Sequence, residues 1–161
     1  MNELLPDSEK CLQGFKKEID KNKYTIVTVS DQLFYTIGMA KHNLPDVILI
    51  CDINKRSVNI LFENLFERWR TTGYAKGFLN EIDALPIFMD EIRHNTALRR
   101  VKDEYVMLAE AFYKQYPTYA QNKPRYVQML WPDLKGYYPN ESEYHYPHFE
   151  QKCLSKLRKI I

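Results

Sequence analysis

The chain contains 161 residues, of which 23 are basic and 21 acidic, so its formal net charge is only +2. This balance lacks the excess of positive charge that non-specific nucleic-acid binding requires, and we expect no nucleic-acid partner. Apolar residues make up 45% of the chain, but no apolar run is long enough to cross a bilayer, so no membrane partner is expected.

The first 23 residues predict an N-terminal helix. Asp7 or Ser8 can cap it, because the side-chain oxygen of either residue can accept a hydrogen bond from the first turn. The charged run 16–23 is expected to end the helix in a loop. The apolar stripe of the helix consists of Cys11, Leu12, Phe15 and Ile19.

Three strands are expected between residues 24 and 52. The segment 24–29 is rich in β-branched residues, and the segment 33–39 follows it after a short gap, which indicates an antiparallel hairpin. Pro45 then precedes the apolar run 46–51. Such a run is typical of a central strand that is covered on both faces.

The most regular pattern in the chain predicts a helix that begins at a cap on Asn54 or Asp52. Gly73 lies where a glycine commonly ends a helix. Apolar residues recur between these limits at intervals of three and four, so they form one stripe that packs on a sheet. They are Val58, Leu61, Phe62, Leu65, Phe66 and Trp69.

The rest of the chain alternates strands and helices. Residues 84–92 are expected to hold a short strand, in which Pro86 favours an edge or an entry position. A long helix is expected from Thr96 to the residue before Pro117, and a last strand covers 126–131. The tail has apolar residues at the spacing of a short amphipathic helix, namely Phe149, Cys153, Leu157 and Ile160.

This order predicts an α+β fold, with a mixed, mostly antiparallel sheet packed by two long helices and with short terminal helices. We expect a single domain that spans residues 1–161. It consists of an N-terminal helix (1–23), a core (24–139) and a C-terminal tail (140–161). The cysteines are odd in number and follow no metal spacing, so we expect reduced and mostly buried thiols in a cytoplasmic protein. They are Cys11, Cys51 and Cys153.

The first candidate for chemistry is a histidine pair in the tail. His145 and His148 lie near Cys153, and together they could begin a zinc site. Pro147, however, prevents a helical presentation of the pair, and no second pair of ligands has a usable spacing. We therefore favour solvent-facing loop histidines and expect no metal.

The second candidate is His42, which follows the second strand. With Tyr35, Asp46 and Asp133 it could form a general acid–base group if the loops meet, but a hydrogen-bonded loop histidine is favoured. No serine lies in a nucleophile elbow, and the glycines do not cluster as a phosphate-binding loop requires. We therefore expect no catalytic residues, no cofactor and no enzymatic activity.

Two parts of the chain carry motifs of a known family. Residues 34–39 and 44–49 read FYTIGM and LPDVIL, which resemble the signature aYTiGL … h-PElvv. Residues 127–139 read VQMLWPDLKGYYP and are similar to a second signature, lQ-vwpD-.-G-.-fP. Across residues 24–139 the chain thus resembles the family called domain of unknown function 4262. It departs from the family pattern at Met39 for Leu, Asp46 for Glu and Tyr138 for Phe.

The motifs suggest a site if strands 46–51 and 126–131 are neighbours. Five side chains of the motifs would then gather at one edge of the sheet. One interpretation is a polar and aromatic ligand pocket. The other is a structural corner in which the two carboxylates cap backbone groups. Gly38 indicates a bulge or a close backbone approach. The five residues are Tyr35, Asp46, Gln128, Trp131 and Asp133.

The resemblance implies no established activity, and members of the family occur in bacteria and their phages. The length and the Lys-, Tyr- and Asn-rich composition are similar to those of phage accessory proteins such as T-even phage inhibitors of the host Lon protease. We expect a non-catalytic protein-interaction factor that binds and inhibits a host protein in the host cytoplasm, specifically an ATP-dependent Lon-type protease. A homodimer is left open. The alternatives are a small-molecule or nucleotide-binding module at the five-residue site, and a hydrolase that acts through His42 or His145.

Overall fold

The computed structural model describes residues 6–74, 77–82, 85–145 and 149–157. Within these ranges the chain forms four α-helices, six β-strands and three short 3-10 turns. The helices are α1 (Pro6–Asn22), α2 (Lys55–Thr72), α3 (Asn95–Glu104) and α4 (Met107–Gln115). The strands are β1 (Thr25–Thr28), β2 (Leu33–Ile37), β3 (Asp46–Ile50), β4 (Gly77–Ile82), β5 (Leu85–Glu91) and β6 (Tyr126–Leu130). The 3-10 turns are Met39–His42, Pro117–Tyr119 and Leu154–Lys156.

The strands form one mixed sheet in the order β1-β2-β3-β6-β5-β4. The pair β3–β6 is parallel, and the other four pairs are antiparallel. The predicted α+β class with a mixed, mostly antiparallel sheet is therefore confirmed. So is the central position of β3, in which Val47, Ile48 and Leu49 are completely buried.

Helices cover both faces of this sheet. On one face, the apolar stripe of α2 packs against Phe34 and Leu49 in one core cluster. On the other face, α1, α3 and α4 pack against Tyr35 and Ile48 in a second cluster. The edge strand β1 contributes to both, because Ile26 packs against the α2 cluster and Val27 belongs to the other. The edge of the sheet at β1 therefore lies between α1 and α2.

Helix α2 agrees closely with its prediction. The Asn54 Oδ1 atom accepts a hydrogen bond from the Ser57 N–H (2.9 Å), and the Gly73 N–H donates to the Trp69 carbonyl (2.7 Å). Gly73 has a φ of 82°, a value that glycine adopts without steric cost. All six residues of the predicted stripe are buried. The pattern was readable because the cap, the stripe and the final glycine are all local signals.

Helix α1 does not end at the charged run 16–23, as the sequence had suggested. It continues to Asn22, and the Lys23 N–H then donates to the Ile19 carbonyl (2.8 Å). Ile19 is 1% exposed, whereas most of the charged residues around it face solvent. A charged run can stay helical when one apolar residue per turn still enters the core.

The long helix predicted from Thr96 to Pro117 is in fact two helices. The chain breaks at Val106, which has non-helical dihedral angles (φ −118°, ψ 39°) and is completely buried. In a straight helix Val106 would lie about 140° around the axis from Val101, away from the core. The break allows both valines to enter the same apolar cluster.

The region 84–92 also differs from its prediction. Its strand, β5, is the second strand of a β4–β5 hairpin, and β4 was not predicted. Because β5 lies between β4 and β6, the edge position suggested by Pro86 is wrong, and the entry position is the one observed. Ala84, where the strand was expected to begin, lies outside the described residues.

The C-terminal tail forms a 3-10 turn, Leu154–Lys156, where the sequence predicted an amphipathic helix. Leu154 and Leu157 are nevertheless buried and join the cluster that contains α3 and α4, while Ile160 lies outside the described residues. All three cysteines are free: Cys51 is buried and Cys153 partly buried, but Cys11 is exposed, contrary to expectation. None of the helices in the described ranges is long and apolar enough to span a membrane.

Candidate functional site

The first family motif places Asp46 in a closed hydrogen-bonded cluster. Its Oδ1 atom accepts hydrogen bonds from the Thr36 hydroxyl (2.9 Å) and from the Met39 N–H (3.1 Å). Its Oδ2 atom accepts a short hydrogen bond from the Tyr113 hydroxyl on α4. Burial raises the pKa of Asp46 to about 7, although the three donors act in the opposite direction. This carboxylate holds β2, β3 and α4 together and is not open to solvent.

Gly38 explains the glycine of the same motif. Strand β2 ends at Ile37, so Gly38 is not a bulge inside the strand but the first residue of the turn that follows. It has a φ of 110°, and a Cβ atom added to it would lie 2.8 Å from the Ile19 Cγ1 atom. The predicted close backbone approach is therefore present, against α1.

The second family motif fixes the C-terminal tail. The Gln128 side chain donates to the Lys152 carbonyl (2.6 Å) and accepts from the Leu154 N–H (2.8 Å). In the opposite direction, the Gln151 side chain of the tail binds the backbone of Trp131. It accepts from the Trp131 N–H (3.1 Å) and donates to the Trp131 carbonyl (2.8 Å). These four bonds hold the tail against β6 and the residue that follows it.

Asp133 organises the loop that follows β6. Its Oδ1 atom accepts from the N–H groups of Lys135 (2.8 Å) and Tyr137 (2.9 Å), and its Oδ2 atom accepts from the His145 N–H (2.9 Å). Asp133 is 6% exposed. Both motif carboxylates thus bind donors of their own fold: Asp46 accepts from side chains and backbone, and Asp133 accepts from backbone N–H groups.

The five predicted site residues do not meet at one edge. Strands β3 and β6 are neighbours but parallel, with Asp46 opposite Tyr126, so Asp46 lies where both strands begin. Trp131 and Asp133 follow the end of β6, and Trp131 is about 16 Å farther along the sheet at 3.3 Å per residue. The expectation of a common corner was wrong because it ignored strand direction. Tyr35, Asp46, Gln128 and Asp133 are also buried.

The free edge of the sheet provides a different candidate site. Strand β1 pairs with β2 on one side only, and the Val29 N–H donates to the Leu33 carbonyl (3.0 Å). Hydrogen-bonded and non-hydrogen-bonded pairs alternate along an antiparallel ladder. Val27, two residues before Val29, therefore also forms backbone hydrogen bonds with β2. The backbone groups of Ile26 and Thr28 therefore point away from the sheet. No described residue forms a hydrogen bond with them.

A groove of about 480 Å³ follows this edge. The end of α1 forms one wall, with Glu18 and Asn22, and α2 forms the other, with Asn59 and Glu63. Strand β1 supplies Thr25 and Ile26 between these walls, and Tyr24 precedes them. The open backbone groups of Ile26 are thus set between two helices.

Two further depressions extend the groove along α2. One, of about 530 Å³, lies beside Thr28 and Ile53 and shares Lys55 with the groove. The other, of about 470 Å³, lies beside His42 and Trp69 and shares Phe66 with the groove. We call the three together the α2 seam and the last one the His42 cleft. The 18 residues of α2 span about 27 Å, which equals about eight residues of extended chain.

The His42 cleft has an aromatic wall and a cationic rim. The His42 Nε2–H donates to the Lys23 carbonyl (3.0 Å), and its ring lies 5.3 Å from that of Phe66. The rings of Trp69 and Tyr74 meet edge to face at 5.1 Å. Burial, followed by the nearby carboxylate of Glu91, raises the pKa of Tyr74 above its usual range. The favoured interpretation of His42 as a hydrogen-bonded loop histidine agrees with this geometry.

Comparison with known proteins places these features in a family. Residues 18–145 match the family model described as Domain of unknown function (DUF4262). The chain belongs to this family. The match includes both motifs and the whole α2 seam, so the resemblance inferred from the motifs is confirmed. No curated protein and no solved structure matches the chain.

His148, one member of the zinc candidate, lies outside the described residues. Within the described ranges, no three His, Cys, Asp or Glu side chains come close enough to hold a metal ion. Sequence reasoning also missed the α2 seam of this DUF4262 protein. The usable signal was the polar series Lys55, Asn59, Glu63 and Glu67, one residue per helical turn beside the buried stripe.

Proposed function

We propose that this DUF4262 protein is a non-catalytic protein-interaction factor that binds an extended segment of another protein along the open edge of β1. The observation that carries the proposal is the pair of outward-facing backbone groups at Ile26 and Thr28. Ile26 lines the groove between α1 and α2, and Thr28 lines the depression that adjoins it. A strand added to such an edge gains main-chain hydrogen bonds, while the grooves beside it select its side chains.

The composition of β1 supports this proposal. Edge strands that must stay unpaired are commonly protected by a lysine, a proline or a bulge. Strand β1 reads TIVT and has none of these, and its four residues pair in continuous register with β2. The α2 seam is long enough for about eight extended residues, which is the length of a short linear segment.

The partner is proposed to be a host protein, on the grounds of the length and composition shared with phage accessory proteins. An ATP-dependent Lon-type protease is the specific target to be tested. Inhibition would follow if the bound segment belonged to a part of the protease that must stay free for substrate to enter. The five residues of the alternative ligand site lie apart and are largely buried, which does not favour a ligand pocket.

The variant Thr28→Pro tests the use of the edge. Proline removes the Thr28 N–H, which points away from β2, so no β1–β2 hydrogen bond is lost. Thr28→Val is the matched control, because it has nearly the same shape and retains the N–H. Thermal unfolding of both variants checks that the fold is intact.

Affinity capture from bacterial lysate is then compared for the three proteins. We expect the wild type and Thr28→Val to recover a stoichiometric protein and Thr28→Pro to lose it. Degradation of casein by a purified Lon-type protease, with each of the three proteins added, tests the specific target. Recovery that survives Thr28→Pro would refute the edge as the binding element, and no stoichiometric partner for the wild type would refute the proposal itself.

A homodimer would cover the same edge by pairing β1 with β1 of a second copy. Sedimentation velocity separates this arrangement from a monomer with a free edge. A dimer that Thr28→Pro dissociates, and Thr28→Val does not, would show that a second copy occupies the edge. A monomer in all three cases leaves the edge available to another protein.

A further inference from the structure

The His42 cleft differs from the rest of the α2 seam in its chemistry. Three aromatic side chains, Phe66, Trp69 and Tyr74, form its wall, and two arginines, Arg70 and Arg125, lie at its rim. None of the described residues that line it is acidic. The groove beside β1, in contrast, is lined by the carboxylates of three glutamates and by two lysines. The cleft is therefore the part of the seam that favours an anion with an apolar body.

Arg125 supplies the charge that is not balanced within the cleft. Its guanidinium lies 5.5 Å from the centre of the Tyr74 ring and donates to the Asn43 carbonyl (3.0 Å). It forms no ion pair with any described residue. Arg70, in contrast, pairs with Glu67 at 2.9 Å on the exposed face of α2. A guanidinium that is held in place by a ring and a carbonyl is well suited to bind a carboxylate through two hydrogen bonds.

One carboxylate, that of Glu91, is linked to Tyr74 by a hydrogen bond, but it also has a basic partner of its own. The Glu91 carboxylate accepts from the Tyr74 hydroxyl (3.2 Å) and from the Arg93 guanidinium (3.0 Å). Glu91 thus forms its ion pair with Arg93, while Arg125 attracts the same carboxylate from beyond ion-pair distance.

Trp69 provides an independent observation. The side chain is 1% exposed, and its Nε1–H is buried without a hydrogen-bond partner among the described residues. Buried indole N–H groups are normally paired, so this donor calls for an acceptor that a ligand would supply. Trp69 lines the His42 cleft, where a carboxylate oxygen would be such an acceptor.

We propose that the His42 cleft binds the C-terminal residue of the partner segment, with its apolar side chain against the aromatic wall and its α-carboxylate at Arg125. The inference rests on the proposed function for the source of the segment. The cleft lies beyond Thr25, where β1 begins, since His42 in it bonds to the Lys23 carbonyl. A segment that runs antiparallel to β1 therefore ends there with its C-terminus. A terminal residue combines the apolar body and the carboxylate, whereas an internal acidic residue offers the carboxylate alone.

The cleft can be tested by itself with N-acetyl-phenylalanine as the probe and its C-terminal amide as the control. The chain has two tryptophans, so the indole N–H resonance of Trp69 is assigned in a ¹H–¹⁵N spectrum with the variant Trp131→Phe. We expect the acid to shift this resonance and to bind about tenfold more tightly than the amide, the loss expected for one charge-assisted interaction. Equal binding of the two probes, or no shift with either, would overturn the inference.

Two variants locate the carboxylate. Arg125→Gln should abolish the preference for the acid, whereas Arg70→Gln should reduce it only slightly, because Arg70 is exposed and already paired with Glu67. Thermal unfolding controls for the loss of the hydrogen bond from Arg125 to Asn43. If Arg125→Gln is unstable, Arg125→Lys provides the second readout: it retains the charge but not the paired geometry and should weaken the acid preference without removing it. A preference that survives in Arg125→Gln would refute the assignment.

Thr28→Pro separates this inference from the function on which it rests. The variant blocks the β1 edge but leaves the cleft unchanged, so it should still prefer the acid over the amide. If the cleft prefers the acid in every protein while no segment binds to β1, the proposed function fails and the subsite stands. If Thr28→Pro abolishes segment binding but acid and amide bind alike, the subsite alone is refuted.

Discussion

The Tyr113 hydroxyl donates a hydrogen bond to the Asp46 carboxylate and accepts one from the Gly38 N–H (2.8 Å). One phenol thus joins α4 to the start of β3 and to the turn after β2. Asp46 and Gly38 are 67 and 75 positions from Tyr113 in the chain, so the contact depends on the completed fold. It gives the first family motif a structural role, because Gly38 and Asp46 are both motif residues.

Tyr113→Phe should destabilise the fold. The change removes the donor to a buried carboxylate and leaves the Gly38 N–H without its acceptor, and we expect a loss of about 2–4 kcal/mol in the free energy of unfolding. Tyr119→Phe is the control, because the Tyr119 hydroxyl bonds to the exposed Asp20 carboxylate and its loss should cost much less. Urea denaturation measures both. Equal losses in the free energy of unfolding would show that the buried Tyr113 hydroxyl stabilises the fold no more than the exposed Tyr119 hydroxyl does.

Asp46 should also make stability depend on pH. Burial raises the pKa of its carboxyl in the folded protein to about 7, from 3.8 in an exposed chain. Between these values the folded state holds a proton that the unfolded state has lost, so the free energy of unfolding should fall as pH rises from about 4 to about 7. The contribution is fully present below the lower pKa. Each pKa unit of difference corresponds to about 1.4 kcal/mol, which denaturation experiments resolve.

Urea denaturation across this pH range, with Asp46→Asn as the comparison, measures the effect. The variant has no titrating group at this position, so the wild type minus variant difference isolates the contribution of Asp46. The ¹³C chemical shift of the Asp46 carboxyl, followed in the wild type, gives the folded pKa directly and does not depend on the variant folding. A carboxyl that titrates near pH 4 would contradict the prediction.

Gly38→Ala should be far more costly than alanine at other glycines. A Cβ atom there would lie 2.8 Å from the Ile19 side chain, and the φ of 110° is strained for any residue with a side chain. We expect a loss of about 2–4 kcal/mol. Gly73→Ala separates the two causes, since Gly73 has a positive φ but no atom within 4 Å of the added Cβ, and should cost about 1 kcal/mol.

Gly14→Ala, the third glycine variant, should stabilise the fold and not destabilise it. Gly14 lies inside α1, and an added Cβ atom would meet nothing within 4 Å. Alanine in a helix interior is more favourable than glycine by about 0.5–1 kcal/mol, so this variant should raise the melting temperature. A ranking by thermal unfolding in which Gly38→Ala is not the least stable of the three would contradict the role of close packing against Ile19.

The parts of the fold that were predicted correctly depend on local signals. The cap at Asn54, the stripe to Trp69 and Gly73 lie within one segment, so α2 could be read from the sequence alone. The break at Val106 could not, because that residue leaves the helix to enter a core built from distant segments. Helix propensity alone favours continuation there, and tertiary packing overrides it.

The candidate site shows the same division. The sequence suggested a common site only if the strands of Asp46 and Trp131 were neighbours. They are neighbours, but the separation of the two residues depends on the parallel direction of β3 and β6, which no local pattern encodes. The α2 seam depends on β1 being the last strand of the sheet. That position follows from the order of all six strands. Sequence reasoning therefore found the structural residues of the family and missed the open surface.

Gln128→Leu should release the C-terminal tail without unfolding the sheet. The amide of Gln128 binds the Lys152 carbonyl and the Leu154 N–H, and leucine has nearly the same size but neither hydrogen bond. The Leu154 N–H, protected in the wild type, should then exchange with solvent at least tenfold faster, because each lost bond to a buried group costs about 1–3 kcal/mol. Gln121→Leu is the control, since Gln121 forms its side-chain hydrogen bond to the Lys41 carbonyl on the surface. Exchange at Leu154 that is unchanged in Gln128→Leu would show that the apolar contacts of the tail are sufficient to hold it.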